Sequence, residues 1–212
     1  GDKKILQDNY IMMKKWVQYI ESTTRENFEA YMEGQPDAAQ LEHRKYIWST
    51  GFQWGDWASP GDVGVDPISM TPQEKKEYAG IVATCFYAYS TELLSQIAGI
   101  LGEYEDMRYY RELVCKVKNA FTTEFVHEDG KLSRHRQGSY VLALQMQMTP
   151  EHMRLKLAQH LAELVMNNGY RLDTGFLSTP YLLDVLTEYG YKGLAYGILF
   201  QTQCPSWLYE VE

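Results

Sequence analysis

TPQEKKEYAGIVATCFYAYSTELLSQIAGILG, residues 71 to 102, is the stretch whose reading decides the fold. Thr71 stands at an N-cap, Pro72 at the first helical position and Glu74 where a capping-box carboxylate reaches back to the cap. Behind them Ile81, Val82, Cys85, Phe86, Tyr89, Leu93, Leu94, Ile97 and Leu101 form a continuous apolar stripe, wide enough for a helix with more than one packed neighbour. Gly102 ends it. The spacing predicts one long helix to Leu101, with a single glycine before the next begins.

Working outward, helical periodicity recurs on both sides. Ile5, Leu6, Met12, Met13, Trp16, Tyr19 and Ile20 predict a first helix from Ile5 to about Ser22. The polar stretch Thr23 to Arg44 reads as loop, with a short helical turn around Glu26 to Met32. A third helix runs from about Glu105 to Phe125 through Tyr109, Leu113, Val117 and Phe121, and Asp129-Gly130 marks a turn. Tyr140 to Met148 is a fourth. Thr149-Pro150-Glu151 repeats the Thr-Pro start and opens a fifth, closing at Asn167-Asn168-Gly169. Thr179-Pro180 repeats it again for a sixth, ending at Gly190, and Lys192 to Thr202 is a seventh. Only Gly130 to Ser133 reads as briefly extended. The fold class is therefore all-α. Loops after the first, third, fifth and seventh helices are long and the others tight; in an array of antiparallel helices alternate loops share an end, so the long ones should share one face.

The longest of these connections contains Thr50 to Pro67, TGFQWGDWASPGDVGVDP. With Trp48 just ahead, it gathers Trp54 and Trp57 with Asp56, Asp62 and Asp66. Disordered segments are poor in aromatics, so this reads as a folded loop presenting Trp and Asp side chains. Four of the five tryptophans belong to the long-loop face, and only Trp16 lies inside a helix.

Composition narrows what that face could bind. The 212 residues are 45% apolar and 23% charged, an ordinary balance for one sizeable core. A net charge of −8 without a Lys/Arg stripe excludes a large nucleic-acid footprint. No apolar run approaches the length of a membrane span. Cys85, Cys115 and Cys204 are an odd number without metal spacing, and Cys85 and Cys115 read as small buried hydrophobes. The start, GDKKILQDNY, has neither signal-peptide nor transit-peptide character and reads as mid-domain. No phosphate loop, zinc-protease helix or nucleophile elbow occurs, His152 and His160 read as surface positions, and neither a metal nor a cofactor is expected. Tyrosine, at 17 residues, suits cores, interfaces and sugar clefts alike.

Aromatic and carboxylate groups on a loop face are what a carbohydrate site needs: Trp covers the apolar C–H patches of a sugar ring while Asp accepts its hydroxyl protons. Trp54, Asp56 and Trp57 fit. The same residues fit a loop plug, with the tryptophans closing the end of the helical array and Asp56 capping a turn. A glycosidase or lyase using Asp56 as acid or base and a helical scaffold for protein binding are further readings; the uneven loop lengths disfavour the scaffold.

Several segments carry a resemblance. Phe52 to Ala58 with its Gly55-Asp56-Trp57 core, ATCFYAYSTELLSQIAGILG, Tyr140-Val-Leu-Ala-Leu after Arg134-His-Arg-Gln, Asp173-Thr-Gly-Phe-Leu-Ser-Thr-Pro-Tyr-Leu-Leu and Gln201-Thr-Gln-Cys-Pro-Ser-Trp-Leu-Tyr together resemble the catalytic domain of bacterial α-L-rhamnosidases, glycoside hydrolase family 78. The likeness runs in order along essentially the whole chain. It implies a six-hairpin α/α barrel, of which residues 1–212 would be a single partial catalytic domain holding a little over half the helices. It also implies a rhamnose-containing glycoside or polysaccharide as partner. The family resembles inverting hydrolases: one Glu protonates the leaving oxygen and another activates water on the opposite face. The acid is expected upstream, in a segment ending Trp-Thr-Gly-Asp, and the base in a Gly-Ala-Thr-Thr segment beyond Glu212. Glu210 and Glu212 do not sit in that motif, so the resemblance implies no catalytic carboxylate within these residues. By motif it makes Trp57 a wall of the rhamnose pocket and Asp56 its polar partner or loop anchor, with Trp54 and Trp207 beside them. Asp173 and Thr174 read as caps of the sixth helix. Apolar faces that the remaining barrel helices would cover should favour self-association.

Overall fold

The computed structural model describes residues 2–33, 38–51, 53–62 and 72–211. Seven α-helices are found among them: α1 (Lys3–Met32), α2 (Pro72–Leu101), α3 (Tyr104–Phe125), α4 (Gln137–Gln145), α5 (Glu151–Asn167), α6 (Leu182–Glu188) and α7 (Lys192–Leu199). Short 3₁₀ turns cover Ala38–Tyr46, Pro60–Asp62, Thr179–Tyr181 and Leu208–Glu210. The extended element among the described residues is one antiparallel bridge, Val126 to Leu132, at the Gly130 turn. Thr71, the expected cap of α2, and residues 63–67 of the Trp/Asp loop lie outside the described residues.

The chain divides into two compact units, Gly1–Gln53 with Ala83–Glu124, and Trp54–Val82 with Phe125–Glu212. In the first, Val17 and Ile20 of α1, Cys85, Tyr87, Ala88, Leu94 and Ala98 of α2, and Tyr110, Leu113, Val117 and Phe121 of α3 form the core. Polar ties surround it. Asp106 accepts from Lys14 Nζ at 2.6 Å and Tyr10 Oη at 2.7 Å, and Glu124 accepts from Arg44 Nε at 2.9 Å and meets His43 Nε2 at 2.8 Å. Trp48 packs edge-on against Trp16, ring centroids 5.8 Å apart. Asp2 caps α1 by accepting from Lys4 N. Gly102, at φ +88°, turns the chain out of α2, a conformation an L side chain adopts only with strain.

Four expectations for this unit need correction. The first helix does not stop near Ser22 but runs to Met32, because Thr24 and Met32 are buried and Glu21 pairs with Arg25 one turn on, although apolar periodicity has thinned. The inward face of α3 holds at Leu113, Val117, Phe121 and Phe125, but at its first turn Tyr110 is buried in place of Tyr109, which lies on the surface, hydrogen-bonded to Glu21. In α2, Tyr89 and Leu93 are exposed while Tyr87 and Thr91 are buried. Cys115 is exposed, whereas Cys85 is buried as expected.

The second unit is built on α4, in which every residue from Gln137 to Leu144 is buried. A helix enclosed on all sides carries no stripe. Its start at Gln137 rather than Tyr140 was therefore invisible to periodicity. Leu157, Leu161 and Val165 of α5, Leu182 and Val185 of α6, and Ile198 of α7 complete the core. His160 is buried, contrary to its surface reading; its Nε2 meets the Asp129 carbonyl at 3.0 Å and its Nδ1 meets Glu163 at 3.3 Å. Thr149 does not cap α5, whose N-cap residue is Pro150. The expected sixth helix is split into the Thr179–Tyr181 turn and α6, and α7 ends at Leu199, before Thr202.

Burial pushes the phenols of Tyr110 and Tyr140 up to about 12. An acid whose folded value is raised contributes stability that is full below its unfolded value, near 10, and is lost as pH rises through the folded value. Alkaline titration followed by tyrosinate absorbance should therefore show late tyrosines that ionise together with loss of helical circular dichroism. Ionisation of every tyrosine near pH 10 with the helices intact would contradict this burial.

Candidate functional site

The site belongs to the second unit and starts from Trp54-Gly55-Asp56-Trp57. Gly55 and Ala58 both take positive φ, +62° and +64°, so the backbone curls around Asp56. The carboxylate turns in and the indoles turn out: Asp56 is 7% exposed, Trp54 56% and Trp57 54%. The two indoles are a tilted pair with centroids 5.8 Å apart.

Asp56 spends both oxygens on the segment before α6. Oδ2 accepts from Gly175 N at 2.8 Å and from the Ser178 hydroxyl. Oδ1 accepts from Leu177 N at 3.0 Å and Ser178 N at 3.1 Å. A carboxylate offers about four lone-pair sites, so these donors saturate it. The return contact is Phe176 N to the Trp57 carbonyl, 2.7 Å. Two glycines permit this approach. A Cβ on Gly175 would lie 2.0 Å from the Asp56 carbonyl oxygen, and one on Gly138 would lie 2.1 Å from Asp56 Oδ2.

A second set of contacts ties in the loop ahead of α4. Asp62 pairs with Arg134, and with Arg136 Nη2 at 3.2 Å. Asp173 Oδ1 accepts from Ser59 Oγ at 3.1 Å and Gly61 N at 2.8 Å, and Oδ2 lies 3.5 Å from Arg136. Gln137 donates to the Arg171 carbonyl and accepts from Asp173 N. Leu172 N donates to the Pro205 carbonyl, and Arg171 bonds Gln203. Segments following α1, α3, α5 and α7 thus meet, as the alternation of long and short loops requires.

Beside this knot lies a groove of about 670 Å³, lined by Ala58, Phe176, Pro180, Leu183, Asp184 and Trp207 among others. Trp207 is half-buried there and Phe176 is 73% exposed.

The four residues expected at the site are therefore all in this unit: Trp54 and Trp57 on its surface, Asp56 beneath them, and Trp207 in the groove. Asp173 was expected to cap the sixth helix; instead it receives donors from residues 59 and 61, and Thr174 meets Thr179 side chain to side chain at 2.8 Å. Sequence reasoning missed Ser178, Gln137, Phe176 and the Arg134/Arg136 pair. Two arginines within three residues of an acidic chain were the available signal. Among the described residues no group of three or more His, Cys, Asp or Glu is placed to hold a metal ion, and no helix is long and apolar enough to cross a membrane.

Comparison with known proteins follows this geometry. The sequence profile of the bacterial alpha-L-rhamnosidase 6 hairpin glycosidase domain matches residues 1–212. An alpha-L-rhamnosidase of Streptomyces avermitilis is 30% identical over the whole chain, and one of Formosa agariphila 31%; the chain spans 17% and 20% of their respective lengths. Among solved structures, the S. avermitilis alpha-L-rhamnosidase complexed with L-rhamnose superposes with a TM-score of 0.77 at 31% identity, covering 100% of this chain and 17% of that one. The alpha-L-rhamnosidase from Dictyoglumus thermophilum gives 0.74 at 30% identity, over 100% of this chain and 21% of that one.

Proposed function

The chain belongs to the bacterial alpha-L-rhamnosidase six-hairpin glycosidase domain family, and from that premise we propose that the protein carrying it hydrolyses terminal α-L-rhamnosyl linkages with inversion. In this reading residues 1–212 are one part of a single α/α-barrel catalytic domain, and the knot around Asp56 is a wall of its rhamnose pocket. One observation carries the assignment of roles: Asp56 is buried and saturated while the two indoles it supports stand more than half exposed. The indole face of Trp57 covers the apolar C–H face of the rhamnosyl ring, including its methyl group, with Trp54 beside it. Asp56 is a positioning residue. With its lone pairs directed at protein donors it has no site left to exchange a proton with substrate, which disfavours the reading that makes it the acid or base.

The acid and base carboxylates are then supplied from outside the knot, since Asp62 and Asp173 are also committed, to Arg134, Arg136 and the backbone of residue 61. An inverting pair leaves room for water opposite the leaving group. Proton NMR of the complete enzyme acting on an aryl α-L-rhamnoside should show the β anomer of L-rhamnose first, with the α anomer appearing only by mutarotation. Initial release of the α anomer would overturn inversion, and no release would overturn the activity.

A further inference from the structure

Gln137 is 1% exposed, and its side-chain amide is committed at both ends to one short segment. Nε2 donates to the Arg171 carbonyl at 3.2 Å, and Oε1 accepts from Asp173 N at 3.0 Å. Leu172, between them, bonds elsewhere: its N–H donates to the Pro205 carbonyl at 3.1 Å. Residues 171–173 are thus tied both to a buried side chain of α4 and to the segment after α7. Each direction leads to an indole. Gln201 Nε2 donates to the Gly169 carbonyl at 2.7 Å, and Arg171 bonds Gln203. With the Leu172–Pro205 bond these contacts seat residues 201–205 on residues 169–172, and Trp207 follows just beyond. On the other side Asp173 Oδ1 accepts from Ser59 Oγ and Gly61 N, in the loop that carries Trp57. Ala58, next to Trp57, and Trp207 line the same groove.

We propose that Gln137 is a positioning residue of the rhamnose pocket, which, by fixing residues 171–173, sets the segment carrying Trp207 relative to the loop carrying Trp57. This rests on the rhamnosidase reading, with both indoles as pocket residues. A glutamine amide holds a donor and an acceptor in one plane, so it takes two backbone groups of one segment at once. An apolar side chain of the same length takes neither. Asn168 Nδ2 also donates to the Arg171 carbonyl, at 3.1 Å, so what a variant without the amide loses is chiefly the tie at Asp173, the residue through which the two loops are joined.

In the complete enzyme, Gln137→Met should weaken L-rhamnose binding about tenfold by isothermal titration calorimetry, the order of one orphaned buried donor. Trp207→Ala should weaken it by about as much. Because Gln137 acts through the placement of Trp207, the double variant should bind within about threefold of Trp207→Ala alone. A purely structural role would give losses that multiply. Gln137→Glu guards against a folding defect: its carboxyl keeps the bond from Asp173 N and, once protonated, donates to the Arg171 carbonyl. At about pH 5 it should bind within about threefold of wild type, since burial favours the protonated carboxyl. Wild-type affinity in Gln137→Met or in Trp207→Ala, multiplying losses in the double variant, or Gln137→Glu no better than Gln137→Met at that pH would overturn the proposal. If the wild-type enzyme binds no L-rhamnose, the rhamnosidase reading itself fails and the proposal falls with it.

Discussion

Replacing Asp56 by alanine is expected to lower the melting temperature of the complete catalytic domain by about 10 °C, at a cost of roughly 3–5 kcal/mol. The carboxylate is 7% exposed and accepts from three backbone N–H groups and one hydroxyl. Alanine leaves those donors without a partner, and each orphaned buried donor costs about 1–3 kcal/mol before water enters. Asp56→Asn is expected to cost about half as much. Its amide oxygen still accepts from Leu177 and Ser178, while its NH₂ now opposes the Gly175 N–H. Activity separates the positioning role from an acid/base role. General acid–base groups contribute about 10²–10⁴-fold, so an Asp56→Asn enzyme with kcat within about tenfold of wild type fits a positioning role. Loss of all turnover with rhamnose binding intact would assign the chemistry to Asp56. Scanning calorimetry that finds Asp56→Ala within 1 °C of wild type would contradict the knot.

Much of this architecture is legible in the residues themselves, and the reason differs by element. The stripe and terminal glycine of α2, the C-cap after Asn167 and the alternation of loop lengths are local signals, and they lead to an all-helical array with its long loops together. Helix ends were misplaced where burial is not one-sided, as in α4, or where local polar pairing carries a helix past its apolar stripe, as in the last turns of α1. The knot was not legible. Its main partners are backbone N–H groups 119 to 122 residues from Asp56, and a backbone N–H has no signature in composition. Asp173 misled for the same reason: an acid shortly before Thr179-Pro180 looks like a cap, and only the folded chain brings residues 59 and 61 to it. The display of Trp57 depends on Gly55 and Gly175 letting two loops close to a distance no side chain would allow.

The second large effect concerns Trp57. Aromatic side chains at the centre of a binding site often cost 2 kcal/mol or more when truncated, so Trp57→Ala should weaken L-rhamnose binding at least thirtyfold. Because the indole is 54% exposed, its loss should move the melting temperature by only a degree or two. Trp54, tilted against it at 5.8 Å, remains to report binding optically. Titrating L-rhamnose into the complete enzyme and its Trp57→Ala variant while following tryptophan fluorescence tests the account most directly. The account predicts a saturable change in the wild type that vanishes over the same concentration range in the equally stable variant; a variant that titrates like the wild type would contradict it.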